Sequence, residues 1–146
     1  MNIKSWLKYL FYIILIFAVI FLREYVGGLF TANYKQAYRI NFSLITINML
    51  IVVSIGILLG LEHIISETRK EGTWKINSPK IILLGLTSLY FSLTSFLIFS
   101  NIQFVQKIIA FPLYKLLKYG SGYVPLFQLI LGYVIITSFY KCNKKS

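Results

Sequence analysis

Acidic groups and metal-binding side chains are scarce in this chain. It has 4 Asp and Glu against 15 Lys and Arg, with 1 His and 1 Cys. A lone cysteine, Cys142, excludes an internal disulfide and a C-x-x-C redox pair. A lone histidine, His63, leaves a hydrolytic metal site short of the three protein ligands such sites use. So few carboxylates also leave no paired-acid site, and neither a nucleophile elbow nor a phosphate-binding loop appears. Charge in general is sparse. Charged residues make up 13% of the chain, against about 25% in soluble domains. The longest polar stretch, Ser66 to Lys80, is 15 residues, too short to build a core of its own.

What the chain has in place of charge is long apolar runs. Mean hydropathy is +0.74 and 58% of residues are hydrophobic. No Asp, Glu, Lys or Arg interrupts Ile40–Leu61, Ile81–Phe99 or Val124–Tyr140. As helices these runs reach about 25 to 33 Å, close to the roughly 30 Å hydrocarbon thickness of a bilayer. The first run is shorter, since only Tyr9–Leu22 is uncharged. It gains length from Trp6 and Leu7 if Lys8 turns its ammonium back to the headgroups. Lys4 and Lys8 resemble the basic end of a secretory signal, but no A-x-A-like site follows, so the run reads as an uncleaved anchor. The expected fold is therefore all-α: a polytopic integral membrane protein whose residues 1–146 form a single membrane domain. Its four transmembrane helices are expected at about residues 6–23, 40–61, 81–100 and 124–140.

Alternate sides of such a bundle receive unequal charge. One side holds Lys4, Lys8, Arg69, Lys70, Lys75, Lys80, Lys141, Lys144 and Lys145; the other holds Arg23, Lys35, Arg39, Lys107, Lys115 and Lys118. The positive-inside rule then places both termini in the cytoplasm of a multi-pass plasma-membrane protein. Trp6 and Trp74 fall near that same interface, as an aromatic belt requires. The net charge of +11 is dispersed over loops and ends, so its expected partner is anionic lipid headgroups, not nucleic acid. Heavy use of Ile, Lys, Asn, Tyr and Phe fits AT-rich bacterial codons.

Between spans 3 and 4, residues 102–118 form a candidate amphipathic helix lying on the outer leaflet. Gln103, Lys107, Tyr114, Lys115 and Lys118 gather on one side of a helical wheel; Ile102, Val105, Ile109, Leu113, Leu116 and Leu117 gather opposite. Pro112 should kink or break it. A re-entrant segment is the alternative. The first external segment, Tyr25–Arg39, opens on Val26-Gly27-Gly28 and reads as a short turn in the headgroup layer.

Two small-residue strips are candidates for helix packing. Gly56 and Gly60 form a G-x-x-x-G, and Gly85, Ser88, Ser92 and Ser95 recur at spacings of three and four. Internal bundle packing is their expected use; a homodimer seam or a substrate path is the alternative. On the second span Asn41, Asn48, Gly56, Glu62 and His63 share one face. Such a stripe avoids lipid, serving interhelical hydrogen bonds or a polar path. His63 and Glu67, one turn apart, are read as solvated surface groups. Arg23 and Glu24 close the first span and point about 100° apart, so each is expected to find water or another partner at the outer interface. If the helix instead continued through Phe30, both would be buried and Arg23 would become the leading functional residue.

No catalytic, cofactor-binding or metal-binding residue is expected from this pattern. The function expected is that of a non-enzymatic accessory, regulatory or immunity-type interaction subunit, with a membrane-protein partner or as a homo-oligomer. The alternative is a small oligomeric transporter or channel with its path along the second span. A membrane enzyme acting through Glu62 and His63 ranks third.

Overall fold

The computed structural model describes the backbone of residues 3–37 and 41–142, and the side chains of residues 10–35 and 41–142. Arg39, Lys144 and Lys145, and the side chains of Lys4, Trp6 and Lys8, lie outside the described residues. The chain is mostly helical, at 80%.

Helix α1 (Ile3–Ala37) and helix α2 (Phe42–Thr68) form an antiparallel pair. Leu10–Lys35 and Phe42–Thr68 are long and apolar enough to cross a membrane. Around α1, Phe11, Ile14, Phe17 and Phe21 are all exposed. A long exposed apolar face of this kind suits lipid, which imposes no penalty on it; in water it would be an aggregation or interaction surface.

The expected turn at Tyr25–Arg39 does not form, because α1 runs unbroken past it. Gly27 and Gly28 each cost a helix interior about 1 kcal/mol relative to Ala. Packing offsets this cost, since Val26 is buried and the α1 surface beside it lies against the start of α2. Thr31 and Asn33 donate to the carbonyls of Gly27 and Leu29, both at 3.0 Å, tying the segment to its preceding turn. Arg23 consequently lies mid-helix, not at a helix end.

After α2, Gly72 (φ 136°) turns the chain into strand β1 (Thr73–Ile76). A helical rod follows in pieces: α3 (Ser78–Lys80), a π-helical turn (Ile81–Gly85), α4 (Leu86–Ser92) and, past a break at Leu93, α5 (Thr94–Ile98). A second π turn (Val105–Ile109) leads to α6 (Phe111–Leu117), whose first turn contains Pro112. The break anticipated at Pro112 falls at Ala110, where proline can begin a helix but not continue one. Inside this hairpin Ala110 and Leu113 are fully buried against Ile98. Of the expected apolar face, Leu113 points inward while Ile102 is exposed. Helix α7 (Tyr123–Thr137) then returns to strand β2 (Phe139–Cys142).

Helices α2 and α7 form the centre of the molecule and run parallel. Their contact is backbone on backbone. A Cβ added to Gly56 would fall on the Leu129 carbonyl oxygen and lie 2.9 Å from the Tyr133 nitrogen; one added to Gly132 would fall on the Val53 oxygen and lie 3.0 Å from the Ile57 nitrogen. Gly60 faces the Ile136 side chain in the same seam. The α4 strip packs on the other side of α7, with Ser88 and Ser92 buried and their hydroxyls donating to carbonyls of their own helix.

The all-α expectation fits the mostly helical chain, and one short two-stranded ribbon is added at one end of it. β1 and β2 pair antiparallel, Thr73 opposite Cys142 and Ile76 opposite Phe139. Helix ends hold this ribbon. The Lys141 N–H donates to Glu67 Oε2 at 2.9 Å, the Lys141 ammonium to the carbonyls of Thr68 and Lys70, and Lys80 Nζ to Thr137 Oγ1 at 2.6 Å. Glu67 is therefore no solvated surface group: it is 5% exposed and also accepts from the Lys70 ammonium.

Candidate functional site

The continued α1 carries Arg23 into a partly open cleft between the helices at the end opposite the ribbon. Its volume is about 470 Å³, within the range of ligand sites. α1 contributes Arg23, Gly27, Phe30 and Tyr34; α2 contributes Leu44, Ile45 and Asn48. The far wall comes from Thr94 and Ser95 of α5, Ser121, and Gln128 of α7.

Two polar atoms are left open there. Arg23 Nε and Asn48 Oδ1 are each buried with no hydrogen-bond partner. A buried polar atom without a partner is costly, and the two atoms have complementary needs: Arg23 Nε lacks an acceptor and Asn48 Oδ1 lacks a donor. Among the described residues Arg23 has one ionic contact: Nη1 meets Glu24 Oε1 at 3.2 Å. The adjacent residue thus does reach Arg23, against the expectation that each would look elsewhere. The pair is weak, because the Glu24 side chain is 71% exposed and the Arg23 side chain 35%. An exposed pair between flexible side chains contributes about 0–1 kcal/mol.

Gln128 is a polar lining group that the hydropathy pattern did not single out. It is buried and donates to the Ser92 carbonyl at 3.4 Å. Its signal was available in the sequence: it is the sole amide side chain in the last apolar run. Thr94, Ser121 and Tyr34 were likewise unmarked, since their place depends on how four separate segments meet.

The second-span stripe does not stay together. Asn41 caps α2, its side chain accepting from the nitrogens of Ser43 and Leu44 at 3.1 and 3.3 Å. Asn48 lines the cleft. Gly56 is closed by the α7 backbone. Glu62 is exposed near the other end, and His63 Nε2 lies 3.1 Å from the Phe139 carbonyl oxygen, helping to hold β2. Of the second strip, Ser95 lines the cleft, Gly85 lies 3.8 Å from Val134 Cγ1 when given a Cβ, and Ser88 and Ser92 are packing groups. Among the described residues no three His, Cys, Asp or Glu side chains gather into a metal site.

A second cleft of about 490 Å³, between Phe91, Leu116, Tyr119, Tyr123 and Phe127, is aromatic and apolar. It offers no charge or orphan polar atom to orient a ligand.

No family model, curated protein or solved structure matches this chain.

Proposed function

We propose that this chain is a non-enzymatic accessory or regulatory subunit of the plasma membrane that works by binding at the Arg23 cleft. One observation carries the reading: a buried guanidinium nitrogen and a buried amide oxygen, both without partners, share one cleft of ligand-sized volume. The assembly that presents it is a four-span bundle. α1 and α2 cross as the first two spans, the rod from Ser78 to Ile98 as the third and α7 as the fourth. Both termini face the cytoplasm, and residues 102–118 lie at the outer surface. Lys80, Lys141, Lys70 and Arg69 at the ribbon end fit the cytoplasmic side by the positive-inside rule.

A polar path through a single copy is the weaker reading, because the stripe is interrupted halfway. Gly56 against Leu129 and Gly132 against Val53 leave no room for even a methyl group between α2 and α7. The cleft is a dead end along that seam, which suits holding a ligand more than passing one.

Extraction from the native membrane under mild conditions, followed by mass and composition analysis, tests the reading. A different membrane protein is expected in fixed stoichiometry with this chain. A homo-oligomer alone that conducts solute in liposomes would overturn it in favour of a transporter or channel.

A further inference from the structure

Resting on the reading of the cleft as a binding site, we infer that its occupant is a glycerophospholipid whose headgroup carries a hydrogen-bond donor beside its phosphate. The phosphate meets Arg23 and the donor meets Asn48 Oδ1.

The charge of the cleft selects an anion. Among the described lining residues Arg23 is the one cation and none is Asp or Glu, so the field inside favours negative charge. A guanidinium matches phosphate oxygens through a planar fork, and Arg23 Nε has no partner in the fold. Its neighbour Glu24, largely exposed, is a poor competitor.

Asn48 then separates phosphate esters from one another. Its orphan atom is an acceptor, and an ionised phosphate offers acceptors only, so a phosphate alone leaves it unsatisfied. A glycerol hydroxyl or a primary ammonium satisfies it; a trimethylammonium, with no N–H, does not.

The apolar wall and the depth of the site point to a lipid instead of a soluble phosphate. Phe30, Leu44, Ile45, Ile98 and Phe99 line the same cleft, a surface for an acyl chain. Asn48 follows the Asn41 cap by seven residues, placing it about 10 Å along the helix from that end. With α2, about 40 Å long, centred on a hydrocarbon core about 30 Å thick, Asn48 lies about 5 Å below the headgroup boundary, and the long Arg23 side chain can reach outward to a phosphate there.

The test uses the purified full chain in neutral detergent, titrated with dioleoyl phosphatidylglycerol, dioleoyl phosphatidylcholine and inorganic phosphate, with bound species read by native mass spectrometry. Phosphatidylglycerol is expected to bind at least tenfold tighter than phosphatidylcholine, and millimolar inorganic phosphate is expected not to displace it. Arg23→Gln should weaken phosphatidylglycerol at least tenfold, and Asn48→Leu should abolish the preference over phosphatidylcholine. Should Arg23→Gln lose its helical circular dichroism, Arg23→Lys, expected to weaken binding three- to tenfold, and Asn48→Leu carry the test. Equal affinity for the two lipids, displacement by inorganic phosphate, or folded variants that bind as the native chain does would each overturn the inference. A chain that shows no lipid preference yet holds a stoichiometric protein partner loses the lipid assignment and keeps the accessory role. A chain that prefers phosphatidylglycerol and purifies with no partner does the reverse.

Discussion

Asn48 shows how a residue can work against the fold that carries it. A buried acceptor without a partner costs about 1–3 kcal/mol relative to a satisfied one, and Asn48 Oδ1 is such an acceptor. Leucine has the same branched heavy-atom skeleton, in a somewhat larger volume, and no polar atom. Asn48→Leu is therefore expected to leave stability unchanged or raise it by about 1 kcal/mol, measured by chemical unfolding in micelles without added lipid. A loss of more than about 1 kcal/mol would mean that Asn48 makes a structural hydrogen bond after all. Gain in stability with loss of ligand preference is the signature of a residue retained for a site. The sequence marked Asn48 for interhelical contact or a polar path and marked Arg23 only on a condition, that the first helix run past Phe30. The helix does run on, but the burial expected of both residues does not follow, since the Glu24 side chain is 71% exposed and only Arg23 turns partly inward. What hid the continuation was Gly27-Gly28: in isolation the pair reads as a turn, and only contact with α2 offsets its cost in a helix. Gln128 stayed unmarked because one amide in an apolar run has no visible partner until α4 is beside it.

At the scale of elements, the G-x-x-x-G strip is a structural seam with a counterpart that spacing alone could not supply. Gly56 and Gly60 were legible as a pair; Gly132, their partner on α7, stands alone in its run. A methyl at Gly56 or Gly132 meets backbone, which moves only with the whole helix, whereas one at Gly60 meets the γ2 methyl of Ile136, stiff at its β-branch but able to shift without moving backbone. Gly56→Ala and Gly132→Ala are each expected to cost about 2–3 kcal/mol, with Gly60→Ala costing less. Gly85→Ala meets nothing closer than 3.6 Å, so it is expected to gain about 0.5–1 kcal/mol from helix propensity. Combining Gly56→Ala with Gly132→Ala should cost less than the sum, since one separation of the helices relieves both clashes. Thermal unfolding of the four single variants and the double variant in one detergent reads all of these. A Gly85→Ala loss as large as that at Gly56 would show that the α4 face is packed as tightly as the seam. The third apolar run was legible as a helix but not as a rod with a π turn and a break at Leu93. No proline or glycine stands at Leu93, and the cause lies in how α4 and α5 seat against different neighbours.

The molecule as a whole has a tied end and an open end, and the two follow from one sequence asymmetry. Strand β2 comes from residues that read as the tail of the last span, yet Phe139–Cys142 leaves the helix to pair with Thr73–Ile76. Thr73–Ile76 does alternate polar with apolar residues but over only four positions, Phe139–Cys142 does not, and four residues apiece would not hold together alone. Glu67 and His63, near the end of α2, hold β2 at the Lys141 N–H and the Phe139 carbonyl, and beside the ribbon the Asn77 N–H donates to the Ser138 carbonyl. The open end is held by tyrosine hydroxyls on carbonyls, Tyr90 to Ile109 and Tyr114 to Ile98, with no strand pair among the described residues, and it is where the cleft lies. If the tied end is cytoplasmic, Cys142 in the ribbon reports it. In intact cells an impermeant maleimide should fail to label Cys142, and after lysis it should label. Because Cys142 is half-buried in β2, labelling after lysis should be slow and should quicken several-fold in denaturant, which separates burial from the membrane as the source of protection. Labelling in intact cells at the lysate rate would invert the bundle. It would put the Arg23 cleft on the cytoplasmic side, and a lipid in it would then come from the inner leaflet.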